Sequence, residues 1–328
     1  MTRALGLIIV LAAGVAFLFA VIVRQLIFPR RVEALEALIK QGKTQTAISA
    51  ARRLVAKDPK NAEAHYYLGM AYRAEKRDEE AYQEFKLLNR MSIQRKLIPE
   101  AVYRQTLAQL YEAHGEGEEA LKEYLLLIKL APRRGEFYLQ AGKLFAGRGK
   151  MDSAREYLLK AAELSPNDGN TYYELGILCY KERRAPEAKA ALERALRLQR
   201  EDEQARTWFY LGKLQKDVKD YGGALDSFEK AARDGEFQVR ALVEKGGCYM
   251  AQNDMRRAVR DLERAVENIK NEGDGDGLSA RYFLGLCYEK EGDINKAVVQ
   301  WELVYAQRRG FKDVGKKLSQ YMLDNAAR

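Results

Sequence analysis

The chain has 328 residues, 47% of them hydrophobic and 31% charged, with only six prolines. That composition belongs to a folded chain and excludes a disordered, collagen-like or proline-rich stalk. Of the net charge of +9, +4 falls in residues 1–31, so the rest is too mildly basic for a typical nucleic-acid binder.

Ala4 to Val23 is a run of twenty residues without a charged side chain, ALGLIIVLAAGVAFLFAVIV. At about 1.5 Å per residue such a helix covers roughly 30 Å, the thickness of a bilayer's hydrocarbon core. Arg3 and Gly14-Val15-Ala16 also suit a signal peptide. The apolar run continues seven residues past Ala16, however, which favours an uncleaved anchor over residues 1–27: one N-terminal transmembrane helix and its juxtamembrane segment. Arg24, Arg30, Arg31, Lys40 and Lys43 follow the run and only Arg3 precedes it. The positive-inside rule then puts the remainder on the cytoplasmic side of the inner membrane, with a periplasmic location as the alternative.

Residues 28–311 repeat themselves. Alanine recurs at Ala47, Ala81, Ala120, Ala154, Ala188, Ala224, Ala258 and Ala297, at spacings of 34, 39, 34, 34, 36, 34 and 39. Twelve residues before each stand Leu35, Gly69, Ala108, Gly142, Gly176, Gly212, Gly246 and Gly285, all but the first small. Each of the eight units reads as two short antiparallel helices, whose backbones approach closely where the small residue on the first meets the alanine on the second. Larger residues such as Leu68, Tyr72 and Phe85, or Trp208, Leu211 and Phe228, fill the space on either side. Gly115-Glu116-Gly117 and Gly292-Asp293 supply turns, with Asp293 placed to cap a helix, and Pro59, Pro132 and Pro166 close units. Phe311, Val314, Leu318 and Met322 are spaced as one face of a capping helix over residues 312–328, with Lys312, Lys316 and Lys317 turned away.

Residues that could carry chemistry are sparse. His65 and His114 fall in different repeats without a third partner, and Cys179, Cys248 and Cys287 form no CxxC pair. Glu272-Gly273-Asp274-Gly275-Asp276-Gly277 looks like a calcium loop, but the twelfth position is Phe283, so it reads as a flexible connection. Basic pairs such as Arg133-Arg134 and Arg256-Arg257 fall at different repeat positions and form no stripe. The expectation is a non-enzymatic protein with no cofactor, metal, nucleic acid or small-molecule substrate.

The stretch Pro59-x-x-Ala62-x-x-His65-x-x-Leu68-Gly69-x-x-Tyr72, followed by Ala81 and Phe85, resembles the tetratricopeptide repeat family, with His65 where Trp is usual. Unit one departs at Leu35 and unit seven at Lys245, where Leu is expected. The resemblance implies an all-α, right-handed superhelix of about eight helix pairs (an α-solenoid) whose first helices line a concave groove. Its groove positions are Tyr66, Met70 and Arg73; Gln109; Lys143; Asn170, Tyr173, Ile177 and Tyr180; Arg206, Phe209 and Lys213; and Tyr282. Aromatic anchors beside cations suit a protein or peptide segment, although the same side chains also suit packing between neighbouring first helices. The paired Lys and Asn of a carboxylate clamp are not evident. The whole resembles the membrane-anchored tetratricopeptide adaptors of bacterial envelope biogenesis and implies a scaffold in assembly of an envelope or membrane complex. A structural part of a periplasmic assembly and a non-catalytic regulatory subunit are the alternatives.

Overall fold

The computed structural model describes residues 32–91 and 98–326. Among the described residues there are seventeen α-helices, one 3-10 turn and no strand. The apolar run Ala4–Val23 lies outside them, and no described helix is long and apolar enough to cross a membrane.

Contacts divide the chain into two units, the first ending at Leu144 and the second beginning at Phe145. The first unit holds α1 (Glu33–Lys40) with α2 (Thr44–Lys57), α3 (Ala62–Ala74) with α4 (Asp78–Arg90), and α5 (Glu100–Ala113) with α6 (Gly117–Leu130). The division falls within α7 (Gly135–Gly147). The second unit continues with α8 (Met151–Leu164), then α9 (Gly169–Lys181) with α10 (Ala185–Leu198) and α11 (Ala205–Asp217) with α12 (Tyr221–Ala231). It ends with α13 (Gln238–Ala251) and α14 (Met255–Glu267), α15 (Gly275–Glu291) and α16 (Ile294–Gln307), and α17 (Val314–Ala326).

Each anchor alanine is the fourth residue of a second helix and at most 1% exposed. The small residue on the first helix does not face that alanine, as the spacing suggested, but the residue one turn later. A Cβ added to Gly69 would stand 2.6 Å from the Phe85 ring, one on Gly176 2.7 Å from Leu192, and one on Gly212 2.8 Å from Phe228. At Gly285 it would come within 2.3 Å of Trp301 Nε1. Glycine thus opens a seat for a large side chain, whose burial contributes about 2–3 kcal/mol. In the first pair the sizes are exchanged at the same two positions, Leu35 against Ala51, and both are fully buried. The departure at Leu35 therefore preserves the summed volume.

The turn within each pair uses one left-handed residue, always five before the anchor alanine. It is glycine at Gly42, Gly115, Gly149 and Gly292, and a residue with a side chain at Lys76, Arg183, Lys219 and Asn253. Aspartate then caps several second helices: Asp220 accepts from Gly223 N at 3.0 Å, Asp254 from Arg257 N at 3.1 Å and Asp293 from Lys296 N at 3.2 Å. The segment expected to be a flexible connection is partly helix. Asp274 accepts from Gly277 N at 2.6 Å and starts α15 at Gly275, while Arg281 ties Glu272 back at 2.6 Å.

Within the second unit, first helices also touch one another, α11 against α9 and α13, and α13 against α15. At the end of the chain Phe311 lies in the turn before α17 rather than in the helix, because Lys312 adopts a left-handed φ of 47°. Val314 is fully buried in one cluster with Trp301 and Val304, the Trp301 and Tyr321 rings stack at 5.7 Å, and Lys317 pairs with Glu289 at 2.7 Å. The last helix pair is covered in this way.

Candidate functional site

The thirteen predicted groove positions divide between the two units. In the first unit, Tyr66 is more than nine-tenths buried against Tyr67 and Phe85, and burial pushes its hydroxyl up to about 12. Arg73 on α3 donates to Gln109 Oε1 on α5 at 3.1 Å, joining two predicted positions across neighbouring first helices. Met70 is half-buried on α3. Lys143 is exposed and donates within its own helix, to Gln140 at 3.2 Å.

The second unit brings seven of the other eight into three patches. Tyr173, Ile177, Phe209 and Tyr282 are more than nine-tenths buried, so these side chains serve packing between helices. In the first patch, Arg206 on α11 lies over the Tyr173 ring at 4.3 Å and donates to Asn170 Oδ1 at 3.0 Å, both on α9. In the second, Lys213 Nζ lies 5.8 Å from the Tyr180 and Tyr210 rings and 6.0 Å from that of Phe209. Tyr180 donates to Asp217 Oδ2 at 2.8 Å; burial first, then this carboxylate, pushes its hydroxyl up to about 12. Next along the face, Lys216 pairs with Glu244 Oε2 at 2.6 Å, its Nζ passing 3.0 Å from where a Cβ on Gly247 would stand.

The third patch was not legible in the repeat register. Lys312 sits in the left-handed turn before α17 with Nζ 4.0 Å from the Phe283 ring and 4.9 Å from that of Tyr282, whose hydroxyl donates to Asp313 at 2.5 Å. Partial burial holds the Lys312 ammonium below the usual lysine value, and the charge of Lys216 adds to the effect. Tyr210, Phe237 and Phe283 also join the aromatic row, with Phe237 5.7 Å from Phe209. Their one signal in the sequence is adjacency to predicted positions or to a helix start.

The groups that might carry catalysis are occupied in structure. His65 has Glu84 Oε2 2.5 Å from Nδ1 and Pro59 O 3.1 Å from Nε2. His114 has Leu110 O 2.8 Å from Nδ1 and Glu79 Oε2 3.0 Å from Nε2, with its ring stacked on Tyr82 at 3.8 Å. Each ring faces two acceptors, which only the doubly protonated form can satisfy, and both values are raised. Burial pushes the Cys248 thiol up to about 11 and that of Cys287 up to about 12, away from the nucleophilic thiolate. Among the described residues no three His, Cys, Asp or Glu are grouped to hold a metal.

Residues 33–92, 106–169, 173–238, 211–272 and 249–312, together most of the chain, match the family profile described as tetratricopeptide repeat. No curated protein matches the chain. Among solved structures, a chain of the APC/C hetero-tetramer Cut9-Hcn1 aligns with a TM-score of 0.55 at 20% identity. The alignment covers 80% of this chain and 50% of that one, so this chain spans about half its length. The C-terminal part of a TPR repeat-containing protein from Cytophaga hutchinsonii aligns at 0.49 and 16% identity, over 88% of this chain and 99% of that one. YrrB, a TPR protein with an unusual peptide-binding site, aligns at 0.46 and 20% identity, over 57% and 92%. The Cut9-Hcn1 likeness is one of fold.

Proposed function

We propose that this chain, which belongs to the tetratricopeptide repeat family, is a non-enzymatic scaffold that holds a protein or peptide segment against its first helices. A helix at Ala4–Val23 would anchor it in the inner membrane. The observation that carries the binding reading is the row of aromatic rings with cations laid over them on the first helices of the second unit, from Tyr173 and Arg206 to Phe283 and Lys312. Rings offer a partner large contact area at small entropic cost, and cations steer and orient it. The twenty-residue uncharged run supports the anchor. Anchoring would confine the binding face near membrane-bound clients and raise their effective concentration. The basic residues after the run favour a cytoplasmic repeat region, with clients in an envelope or membrane complex.

Tyr173 and Phe209 are so buried that truncating them would lower stability along with binding. Tyr180 is half-buried and is the cleaner probe. A photo-crosslinking residue in place of Lys213, in the full chain in native membranes, is expected to capture a partner that Tyr180→Ala releases. Equal capture by both would count against the face. Labelling of a cysteine appended to the C-terminus, before and after outer-membrane permeabilisation, reports the side: label without lysis places the repeats in the periplasm.

A further inference from the structure

Resting on that reading, we propose that the segment received by the second unit is acidic, with Asp or Glu side chains meeting Arg206, Lys213 and Lys312. Most other charges on this face are already matched: Lys216 with Glu244 at 2.6 Å, Arg240 with Asp276 at 3.0 Å and Lys317 with Glu289 at 2.7 Å. Arg206, Lys213 and Lys312 have no ion-pair partner among the described residues. Each is instead laid on an aromatic ring, which holds the cation in place and leaves its hydrogen-bond donors unused by any carboxylate.

Charge decides between occupants. An apolar segment would strip water from three unmatched cations with nothing in return. The chain's own residues 1–31 carry four arginines and no acid, so they would be repelled. A nucleic acid needs a longer basic track, and here Glu244, Asp217 and Asp313 stand among the cations. Spacing adds a further constraint. Arg206 and Lys213 lie seven residues apart on α11, two turns or about 10 Å along one helix face. An extended segment advances about 3.3 Å per residue, so acids three residues apart match this pair. The carboxylates are side chains along a segment, not a chain terminus held by a clamp.

The test is selection from a displayed library of random peptides, each about 12 residues long, on the full chain in detergent micelles, followed by fluorescence polarisation with individual winners. Enriched peptides are expected to carry an excess of Asp and Glu, with a preference for acids three apart. Their affinity is expected to fall roughly tenfold or more with Lys213→Gln/Lys312→Gln, with amide replacement of the peptide's acids on the unaltered chain, and with added salt. Winners without acidic excess that bind the double variant equally would overturn the inference; if Tyr180→Ala still weakens them, the binding face stands. Acidic winners indifferent to both the lysine changes and Tyr180→Ala would overturn inference and face together. So would absence of any enrichment. A single-stranded oligonucleotide that binds through Lys213 and Lys312 while no acidic peptide does would reassign the patch to nucleic acid.

Discussion

Gly285 leaves no room for a methyl group, since a Cβ there would meet Trp301 Nε1, which itself donates to Tyr282 O at 3.3 Å. Trp301 is fully buried and cannot swing aside. Gly285→Ala is therefore expected to cost about 1–3 kcal/mol, read as a lower urea midpoint at unchanged slope. Lys245 poses the opposite problem, a charge where the repeat wants an apolar residue. It is buried, its Nζ 3.0 Å from the almost fully buried Asp261 carboxylate and in contact with Glu229. Lys245→Met would leave the buried Asp261 carboxylate to the more exposed Arg264 at 3.4 Å and Arg260 at 4.0 Å, a loss on the order of 3 kcal/mol, and adding Asp261→Leu is expected to restore most of it. A double variant no more stable than the single one would show that the acid is not held by the lysine. The departure at Lys245 was plain in the sequence, but its compensation was not, because the acids that face it stand sixteen positions away on neighbouring helices.

At the scale of elements, the eight turns share one backbone shape and only half of them use glycine for it. A left-handed residue with a Cβ costs roughly 1 kcal/mol or more, which glycine avoids at some entropic expense to the unfolded chain. Arg183→Gly and Lys219→Gly are expected to raise stability by a few tenths to about 1 kcal/mol; a drop would mean those side chains do more than tolerate the turn. The two histidines tie elements together in the first unit, His65 joining α3 to α4 and His114 reaching from the end of α5 to Glu79 on α4. For His65 the hydrogen bond to Glu84 is the chief cause of the raised value; for His114 it is Leu110 O, then Glu79. A histidine raised above its unfolded value of about 6.5 contributes its full stability below that pH and loses it as pH climbs through the native value. The urea midpoint is thus expected to be higher near about pH 6 than about pH 8.5, with a flatter profile in His65→Gln. A profile unchanged by that substitution would assign the dependence elsewhere. Ending the chain before α17 should uncover Trp301 and Val304, and faster amide exchange confined to α15 and α16 would report it.

For the molecule as a whole, stability is a sum of local pair and neighbour terms, since each helix pair buries its apolar residues against adjacent elements. The membrane reading belongs to this scale. The full chain is expected to stay with membranes after alkaline carbonate extraction, and a variant lacking residues 1–27 to be released with its helical content intact. Release of the full chain would remove the anchor while leaving the repeat reading as it stands.

The all-α class and the family were present in the sequence, because a recurring spacing of small residues is met by one kind of packing, short helices nested at close range. Which side chain fills each seat was decided only in three dimensions: Gly69 for Phe85 and Gly285 for Trp301, with the exchange of Leu35 and Ala51 keeping the volume constant. The binding patch was decided there too. Repeat register placed Arg206 and Lys213 on one helix face, but Lys312 reaches that side of the unit only through a left-handed turn. No linear pattern shows which cations find an acid and which are left lying on a ring, since those partners come from separate helices.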